Sequence, residues 1–179
     1  MMGNLKTEPA LDRPDLLAPP VAAALRDWPG RDETEVAAID ATLADTAAFC
    51  AEYGVSLEAS ANCVIVSGKR EGVVRYAACL LLATTRADVN GVVRKHLNVR
   101  KLSFAPMDEA VALTGMEYGG ITPIGLPAEW PILVDPRVLT QPAVVIGSGV
   151  RHGKIQIPGA LAARLPLAEV VEGLARELQ

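Results

Sequence analysis

Two apolar segments joined by a short charged turn set the strongest limit on how this chain folds. The first segment, Cys63 to Val66, is rich in β-branched residues and is followed by the turn SGKREG. The second segment runs from Val73 to Ala83. Apolar segments around such a turn are typical of a β-hairpin, and we predict one here with a charged tip. Because the second segment shows no alternation, its strand is expected to be buried on both faces.

Shorter segments on both sides of the hairpin alternate between helix-like and strand-like patterns. Helices are predicted over Pro20–Trp28, over 45–54 with Gly54 as the stop, over 88–97 with Asp88 as the N-cap, and over 106–115 with Pro106 at the start and Gly115 as the stop. Strands are predicted in VRKLSFA, PILVD, AVVIGSG and GKIQI, residues 35–40 fit a strand or a helix, and PGALAARL and LAEVVEGLAREL are predicted as terminal helices. This mixture predicts an α+β domain.

The length and composition limit the domain organisation and the class of protein. A chain of 179 residues fits one domain, and 50% hydrophobic residues are ample for its core. We expect the domain to span residues 33–179 and to follow an N-terminal arm and short helix over residues 1–32. The proline-rich residues 1 to about 17 are expected to be flexible. No apolar signal-peptide core is found there, and the longest apolar run, YAACLLLA, is too short to cross a bilayer, so a cytoplasmic location without membrane contact is expected.

Charge and cysteine content exclude several functions. A net charge of −4 and a pI near 5.2 argue against binding DNA or RNA through the whole surface, although a local basic patch remains open. The cysteines Cys50, Cys63 and Cys79 are odd in number and lack a CxxC spacing, so a disulfide framework or zinc site is not expected. Each lies in an apolar context and is predicted to be a buried, unreactive thiol.

The segment GMEYGGITPIGLP, residues 115–127 and here called the glycine loop, has the composition of a pocket wall. Gly119 and Gly120 let the backbone approach a ligand closely, and Pro123 stiffens the loop. The amides of Gly119, Gly120 and Ile121 would point at a small anion or a carbonyl oxygen, and Thr122 would add a hydroxyl. A tight turn between two elements is the alternative interpretation.

A second glycine-rich segment follows a predicted strand. Gly147, Ser148 and Gly149 form the sequence GSG, here called the glycine bend, and Arg151 and His152 follow it. The GxGxxG spacing of dinucleotide-binding loops fails, because His152 stands where the third glycine belongs. We therefore predict a tight bend that allows close approach of backbone or ligand. With two histidines in the whole chain, a metal site is not expected.

A basic cluster stands out against the acidic background. It consists of Arg86, Arg94, Lys95, His96, Arg100 and Lys101. Such a cluster could contact a few phosphates, and a solvated helix face is the alternative.

The motifs together resemble the YbaK/EbsC family, free-standing relatives of the editing insertion domain of bacterial prolyl-tRNA synthetases. LTGMEYGGITPIGLP is followed, after a strand, by VVIGSGVRHGKI, and the similarity spans roughly residues 34–175 in the right order. The resemblance implies a single α+β domain with a mixed, curved, barrel-like β-sheet surrounded by helices. It also implies hydrolysis, in trans and without metal or cofactor, of the ester of a mischarged tRNA that carries a small amino acid.

The resemblance implies partners and site residues as well. The partners would be the 3′ acceptor end of aminoacyl-tRNA and an aminoacyl-tRNA synthetase. From the residues themselves, the basic cluster is the candidate tRNA contact, through Arg86, Arg94, Lys95, Arg100 and Lys101, and the apolar content is compatible with a homodimer. The glycine loop would bind the aminoacyl group through Gly119, Ile121, Thr122 and Pro123, with Gly120 as a catalytic amide donor. The glycine bend, Gly147, Ser148 and Gly149, would form the opposite wall.

One position departs from the family pattern. The best-known members carry a lysine at the start of the first hairpin strand, and alignment on SANCVIV places Asn62 there. Asparagine has no charge, but it can orient a water molecule or the ester carbonyl, so Asn62 is expected to be catalytic. The alternative is a non-catalytic module that binds an amino acid, an aminoacyl adenosine or a partner protein. A third interpretation is an α+β domain whose glycines only form turns.

Overall fold

The computed structural model describes residues 2–179. The strands are β1 (Thr7–Pro9), β2 (Glu35–Ala38), β3 (Ala61–Arg70), β4 (Val73–Leu82), β5 (Thr85–Ala87), β6 (Leu102–Phe104), β7 (Ile132–Val134), β8 (Val144–Gly147), β9 (Gly153–Ile157), β10 (Ala168–Val170) and β11 (Ala175–Glu177). The α-helices are α1 (Pro19–Asp27), α2 (Thr46–Tyr53), α3 (Arg94–Leu97), α4 (Met107–Thr114) and α5 (Pro136–Leu139). Short 3-10 helices and one π-helical turn, Val89–Val93, connect them.

The predicted hairpin forms the centre of the fold. β3 and β4 pair antiparallel along their whole length, from Ala61 opposite Leu82 to Arg70 opposite Val73. Glu71 and Gly72 make the turn with φ values of 51° and 79°, the left-handed conformation that tight hairpin turns require. The prediction that the second strand is buried on both faces is confirmed, since every residue from 77 to 82 is buried.

Two larger sheets and a small one build the α+β domain. The hairpin belongs to a five-stranded sheet in the order β10-β7-β4-β3-β6, a second sheet has the order β1-β2-β9-β8, and β5 pairs with β11. A parallel bridge between Ser60 and Val145 joins the two larger sheets at the start of β3. The predicted α+β class with curved sheets is confirmed, and the sheets are open rather than closed into a barrel.

The four predicted internal helices are confirmed with small shifts in their ends. α2 and α4 end at Gly54 and Gly115, which have φ values of 66° and 68°. Asp88 caps the next helical segment by accepting a hydrogen bond from the Val92 amide at 3.2 Å. Pro106 stands one residue earlier than predicted, at the N-cap of α4.

The prediction of a flexible arm is wrong for residues 2–17, whereas residue 1 lies outside the described residues. β1 pairs antiparallel with β2, with Thr7 opposite Ala37. Leu5, Leu16 and Leu17 are buried. The prolines and charges of this segment favour a solvated arm. Its residues 7–9 instead pair with β2, and these three leucines are buried in the core. The division of the chain between residues 32 and 33 stays a prediction.

The second predicted terminal helix is also wrong. LAEVVEGLAREL forms β10, which runs parallel to β7, and β11, which pairs antiparallel with β5. Gly173, at φ 71°, separates them. Val171 and Leu174 are buried in one core cluster with residues of β4. The apolar spacing of this segment is compatible with a helix, but the segment forms two strands because two sheet edges are available to pair with it. The preceding PGALAARL is helical, as a 3-10 helix over Gly159–Arg164.

Candidate active site

A single pocket brings together residues from both larger sheets and the glycine loop. It has a volume of about 320 Å³ and lies beside the start of β3. Its lining includes Thr46 and Phe49 of α2, residues 61–65 of β3, Tyr118, Gly119 and Ile121 of the glycine loop, Gly147 of the glycine bend and Lys154 of β9.

The pocket exists because one edge of β3 is partly open. On this edge β3 pairs with β6 only from Val66 to Gly68. The amide of Ala105 donates to the Ile65 carbonyl at 2.8 Å, which marks the end of this pairing. Since strand groups alternate with a period of two, the N–H and C=O of Cys63 point to the same edge, where the pocket lies. The strand therefore offers the pocket main-chain groups as well as side chains.

Asn62 reaches the same pocket as Gly119. Its side-chain oxygen accepts a hydrogen bond from the Thr46 hydroxyl at 2.7 Å. With that acceptor engaged, the amide N–H₂ is the group that Asn62 can offer to a ligand. Its assignment as a catalytic residue stays a prediction.

Only some of the glycine-loop residues that were predicted to bind the substrate line the pocket. Gly119 and Ile121 line it, and no acceptor for their amides is found among residues 2–179. The prediction for Gly120 is wrong, because its amide donates to the Glu117 carbonyl at 2.9 Å. The neighbouring Thr122 is fully buried, and its hydroxyl has no partner within the described part of the chain.

Pro123 lies away from the pocket. It lines a separate apolar cavity together with Trp28 and Trp130. Thr122 and Pro123 are therefore not among the pocket-lining residues, contrary to their predicted substrate-binding role. Their contribution is to the packing behind the loop.

The glycine bend lies beside the glycine loop rather than opposite it. The Gly149 amide donates to the Gly120 carbonyl at 2.7 Å, and the Glu117 amide donates to the Gly149 carbonyl at 2.8 Å. A Cβ on Gly147 would lie 2.4 Å from the Gly120 carbonyl oxygen, so glycine is required for this approach. Ser148 and Gly149 are buried behind the surface, and only Gly147 lines the pocket. The predicted opposite wall is therefore wrong.

The pocket also contains a residue that the sequence did not single out, Lys154 of β9. Lys154 is 9% exposed, and its Nζ donates to the Ala44 carbonyl at 3.0 Å. Nζ also lies 5.1 Å from the centre of the Phe49 ring, close enough for a cation–π contact. Burial lowers the pKa of Lys154 below its usual 10.5. The only sequence signal was one lysine within the apolar strand segment GKIQI.

The basic cluster divides into two regions. Arg94, Arg100 and Lys101 line a groove together with Lys69, and these four residues are here called the basic groove. The groove lies further along β3 than the pocket, since residues 61–65 of β3 line the pocket and residues 67–69 line the groove.

The other members of the cluster lie outside this groove. Arg86 sits on β5 opposite Arg176 of β11, and Lys95 does not line the groove. His96 contacts Glu169 of β10. Three of the five predicted tRNA-contacting residues are thus grouped next to the pocket, and Arg86 and Lys95 are not.

Three large apolar side chains surround the mouth of the pocket. Phe104, Met107 and Tyr118 line it and are 59%, 55% and 56% exposed, and they are here called the rim. Exposed apolar groups beside a cavity make the rim a candidate binding surface.

The thiols are unsuited to act as nucleophiles. Cys63 lines the pocket, but burial raises its pKa, and Cys79 nearby raises it further. Burial raises the pKa of Cys79 to about 12. Cys50 and Cys79 are buried as predicted, whereas Cys63 is only partly buried. A thiol with a raised pKa stays protonated and is a poor nucleophile.

Two further properties concern residues 2–179 only. No cluster of three or more His, Cys, Asp or Glu side chains there could hold a metal ion. None of the helices in this range is long and apolar enough to span a membrane.

This geometry agrees with what comparison with known proteins finds. A family model of the aminoacyl-tRNA editing domain matches residues 40–165, which include α2, β3, the glycine loop and the glycine bend. The chain belongs to this family. Comparison of this chain with curated protein sequences finds no match.

Solved structures share the fold of the editing domain. A protein proposed to be a trans-editing enzyme for prolyl-tRNA synthetase aligns with a TM-score of 0.74 at 21% identity, over 90% of this chain and 97% of that one. A protein from a study of epitope grafting onto scaffold proteins aligns with a TM-score of 0.73 at 23% identity, over 90% and 97%. A hypothetical protein aligns with a TM-score of 0.69 at 20% identity, over 79% and 90%. At these identities the likeness concerns the fold.

Proposed function

We propose that this editing-domain protein is a trans-acting deacylase that hydrolyses the ester between a small amino acid and the 3′ end of a mischarged tRNA. The observation that carries the proposal is the pocket itself. It joins main-chain donors, Asn62 and a buried lysine within about 320 Å³.

The polar groups of the pocket suit ester hydrolysis. Attack of water on the ester carbonyl gives a tetrahedral intermediate whose oxygen carries the negative charge. The amides of Gly119 and Ile121 are donors of the kind that stabilise such an oxyanion. Collapse of the intermediate breaks the bond to the ribose oxygen, and free amino acid and tRNA leave. Asn62 would hold the water or the carbonyl through its amide N–H₂.

The size and lining of the pocket favour a small aliphatic amino acid. Its volume lies at the lower end of the range of about 300–1,000 Å³ for ligand sites. Phe49, Val64, Ile65 and Ala110 supply apolar surface. A large side chain would have to displace these groups, so selection by size follows from the packing.

The surface outside the pocket suits a tRNA acceptor end. Phe104 and Tyr118 of the rim present aromatic faces on which unpaired bases can stack, a contact worth about 1–3 kcal/mol for each base. The basic groove next to it supplies four cations for backbone phosphates. An overall acidic protein can therefore bind nucleic acid here. Contact with a synthetase and a homodimer stay predictions.

Deacylation of a panel of aminoacyl-tRNAs tests the proposed function. The wild-type protein is expected to release one small amino acid from its tRNA, and Asn62→Ala is expected to release it more slowly with an unchanged fold by circular dichroism. No release from any tRNA, with the folded protein still binding a non-hydrolysable aminoacyl-adenosine analogue, would favour the binding module. That second function is suggested by the uncharged Asn62, which stands where family members carry a lysine.

Charge reversal in the basic groove tests the acceptor-end interface. Arg100→Glu combined with Lys101→Glu is expected to raise KM for aminoacyl-tRNA at least about tenfold, because phosphate contacts are lost and repulsion replaces them. The dependence of KM on salt should weaken. Arg86→Glu, on the β5–β11 sheet outside the groove, is the matched control and should change KM little. An equal rise in both variants would contradict the assignment of the groove.

A further inference from the structure

Lys154 is an unusual residue for the interior of a strand. It pairs with Gly147 of β8 on one side and with Ala37 of β2 on the other, so it lies within the sheet rather than at its edge. Its side chain is 9% exposed and lines the pocket. Burying an ammonium group is unfavourable unless other groups compensate for the lost water.

The compensation that Lys154 receives is incomplete. Its Nζ donates one hydrogen bond, to the Ala44 carbonyl at 3.0 Å, although an ammonium group has three donors. Among residues 2–179, Nζ forms no ion pair with a carboxylate. The Phe49 ring 5.1 Å away adds a weak attraction. At least one N–H of the ammonium is therefore available to a ligand.

The titratable neighbours of Lys154 come from two parts of the chain. Asp45, at the N-cap of α2, favours its charged form, whereas Arg151, which precedes β9, opposes it. A carboxylate oxygen of Asp45 lies 3.9 Å from a guanidinium nitrogen of Arg151. The negative charge of Asp45 therefore acts on Arg151 as well as on Lys154. Burial has the largest effect and keeps the pKa below the usual 10.5.

We propose that Lys154 is a catalytic residue of the deacylase, and that its ammonium group stabilises the oxyanion formed on the ester carbonyl. The inference rests on the proposed function and names the group that supplies positive charge to it. Asn62 and Lys154 line the same pocket from different sheets, on β3 and β9. Asn62 has no charge where the best-known family members carry a lysine, and Lys154 of the neighbouring sheet supplies the positive charge instead.

The chemical step balances without a further reactant. Water adds to the ester carbon and loses a proton to solvent, and the carbonyl π electrons move to oxygen, where Lys154 and the amides of Gly119 and Ile121 donate hydrogen bonds. The C–O bond to the ribose then breaks, and the ribose oxygen takes up a proton. Lys154 keeps its own proton throughout and acts by electrostatic stabilisation.

Lys154→Met tests the inference, because methionine keeps the length of the side chain and removes its charge. We expect kcat for the amino acid released by the wild type to fall by about 10²–10³-fold, while KM changes little. Lys6→Met, at an exposed lysine near the N-terminus, is the control and should keep the wild-type kcat. Because burying an ammonium group is unfavourable, the apolar methionine should be tolerated and the variant should fold, and Lys154→Gln is a second choice.

The pH dependence gives a readout that a structural role would not change. Lys154 loses its proton below the usual lysine pKa of 10.5, whereas arginine stays charged. The ratio of kcat in the wild type to kcat in Lys154→Arg should therefore fall as the pH rises from about 7 to about 10. A constant ratio, or a Lys154→Met kcat within about twofold of an active wild type, would overturn the inference and leave the proposed function intact. An inactive wild type would overturn the proposed function, and this inference with it.

Discussion

Replacing Gly147 by alanine is expected to lower the free energy of unfolding by about 2–4 kcal/mol and to reduce deacylation by more than about 100-fold. A Cβ at this position would lie 2.4 Å from the Gly120 carbonyl oxygen and 2.8 Å from that of Ile121. Both contacts are with backbone, so the glycine loop itself would have to move. Because Gly119 and Ile121 of that loop line the pocket, stability and activity should fall together.

Urea denaturation and single-turnover deacylation would measure the two effects of Gly147→Ala. Gly72→Ala is the control, since its Cβ would meet nothing within 4 Å and only the left-handed backbone, at φ 79°, opposes it. We expect the control to lose about 1 kcal/mol and to keep its activity. If Gly147→Ala were no less stable than Gly72→Ala, the glycine loop and the glycine bend would not pack against each other as the structure shows.

The hairpin and the internal helices could be predicted because their signals are local. A charged turn between two apolar segments, an aspartate at a helix start or a glycine at a helix end acts within a few residues of itself. The contact between the two glycine-rich segments is different. It depends on hydrogen bonds such as that from the Gly149 amide to the Gly120 carbonyl, at 2.7 Å, across a long separation in sequence. The sequence identified both segments, but their side-by-side arrangement depends on the packing of β8 and β9.

The two wrong predictions at the chain ends have one physical cause. Residues 7–9 are few and of mixed composition, and the segment after residue 166 has an apolar spacing that also suits a helix. Each is placed by a sheet edge that becomes available only when the domain folds: β2 for β1, and β7 and β5 for β10 and β11. Tertiary context then overrides local preference.

Lys154 was missed for a related reason. On a strand of five residues, one lysine is equally compatible with a solvated face and with a buried site. What distinguishes the two is the position of α2, whose Phe49 and preceding Ala44 enclose Nζ. The alignment showed where a family lysine is absent, and the structure shows where a different lysine enters the same pocket.

Replacing Ala110 by leucine tests whether the pocket selects by size. Ala110 is 4% exposed on α4 and lines the pocket, so three further carbon atoms would occupy space that the aminoacyl group needs. We expect kcat/KM for the released amino acid to fall about 10- to 200-fold, most for the largest amino acid that the wild type accepts. The free energy of unfolding should change by less than about 1.5 kcal/mol, because the new side chain fills an existing cavity.

The matched control for Ala110→Leu is Ala112→Leu, on the same helix but exposed to solvent. Its kcat/KM should equal that of the wild type across the panel of aminoacyl-tRNAs. Equal losses in both variants would mean that leucine disturbs α4 rather than the pocket. An unchanged rate in Ala110→Leu would mean that the aminoacyl group binds elsewhere. The oxyanion would then also form away from Lys154 and the glycine-loop amides, which are proposed to stabilise it. Activity that falls with the size of the amino acid, in Ala110→Leu alone, would place the substrate side chain against α4.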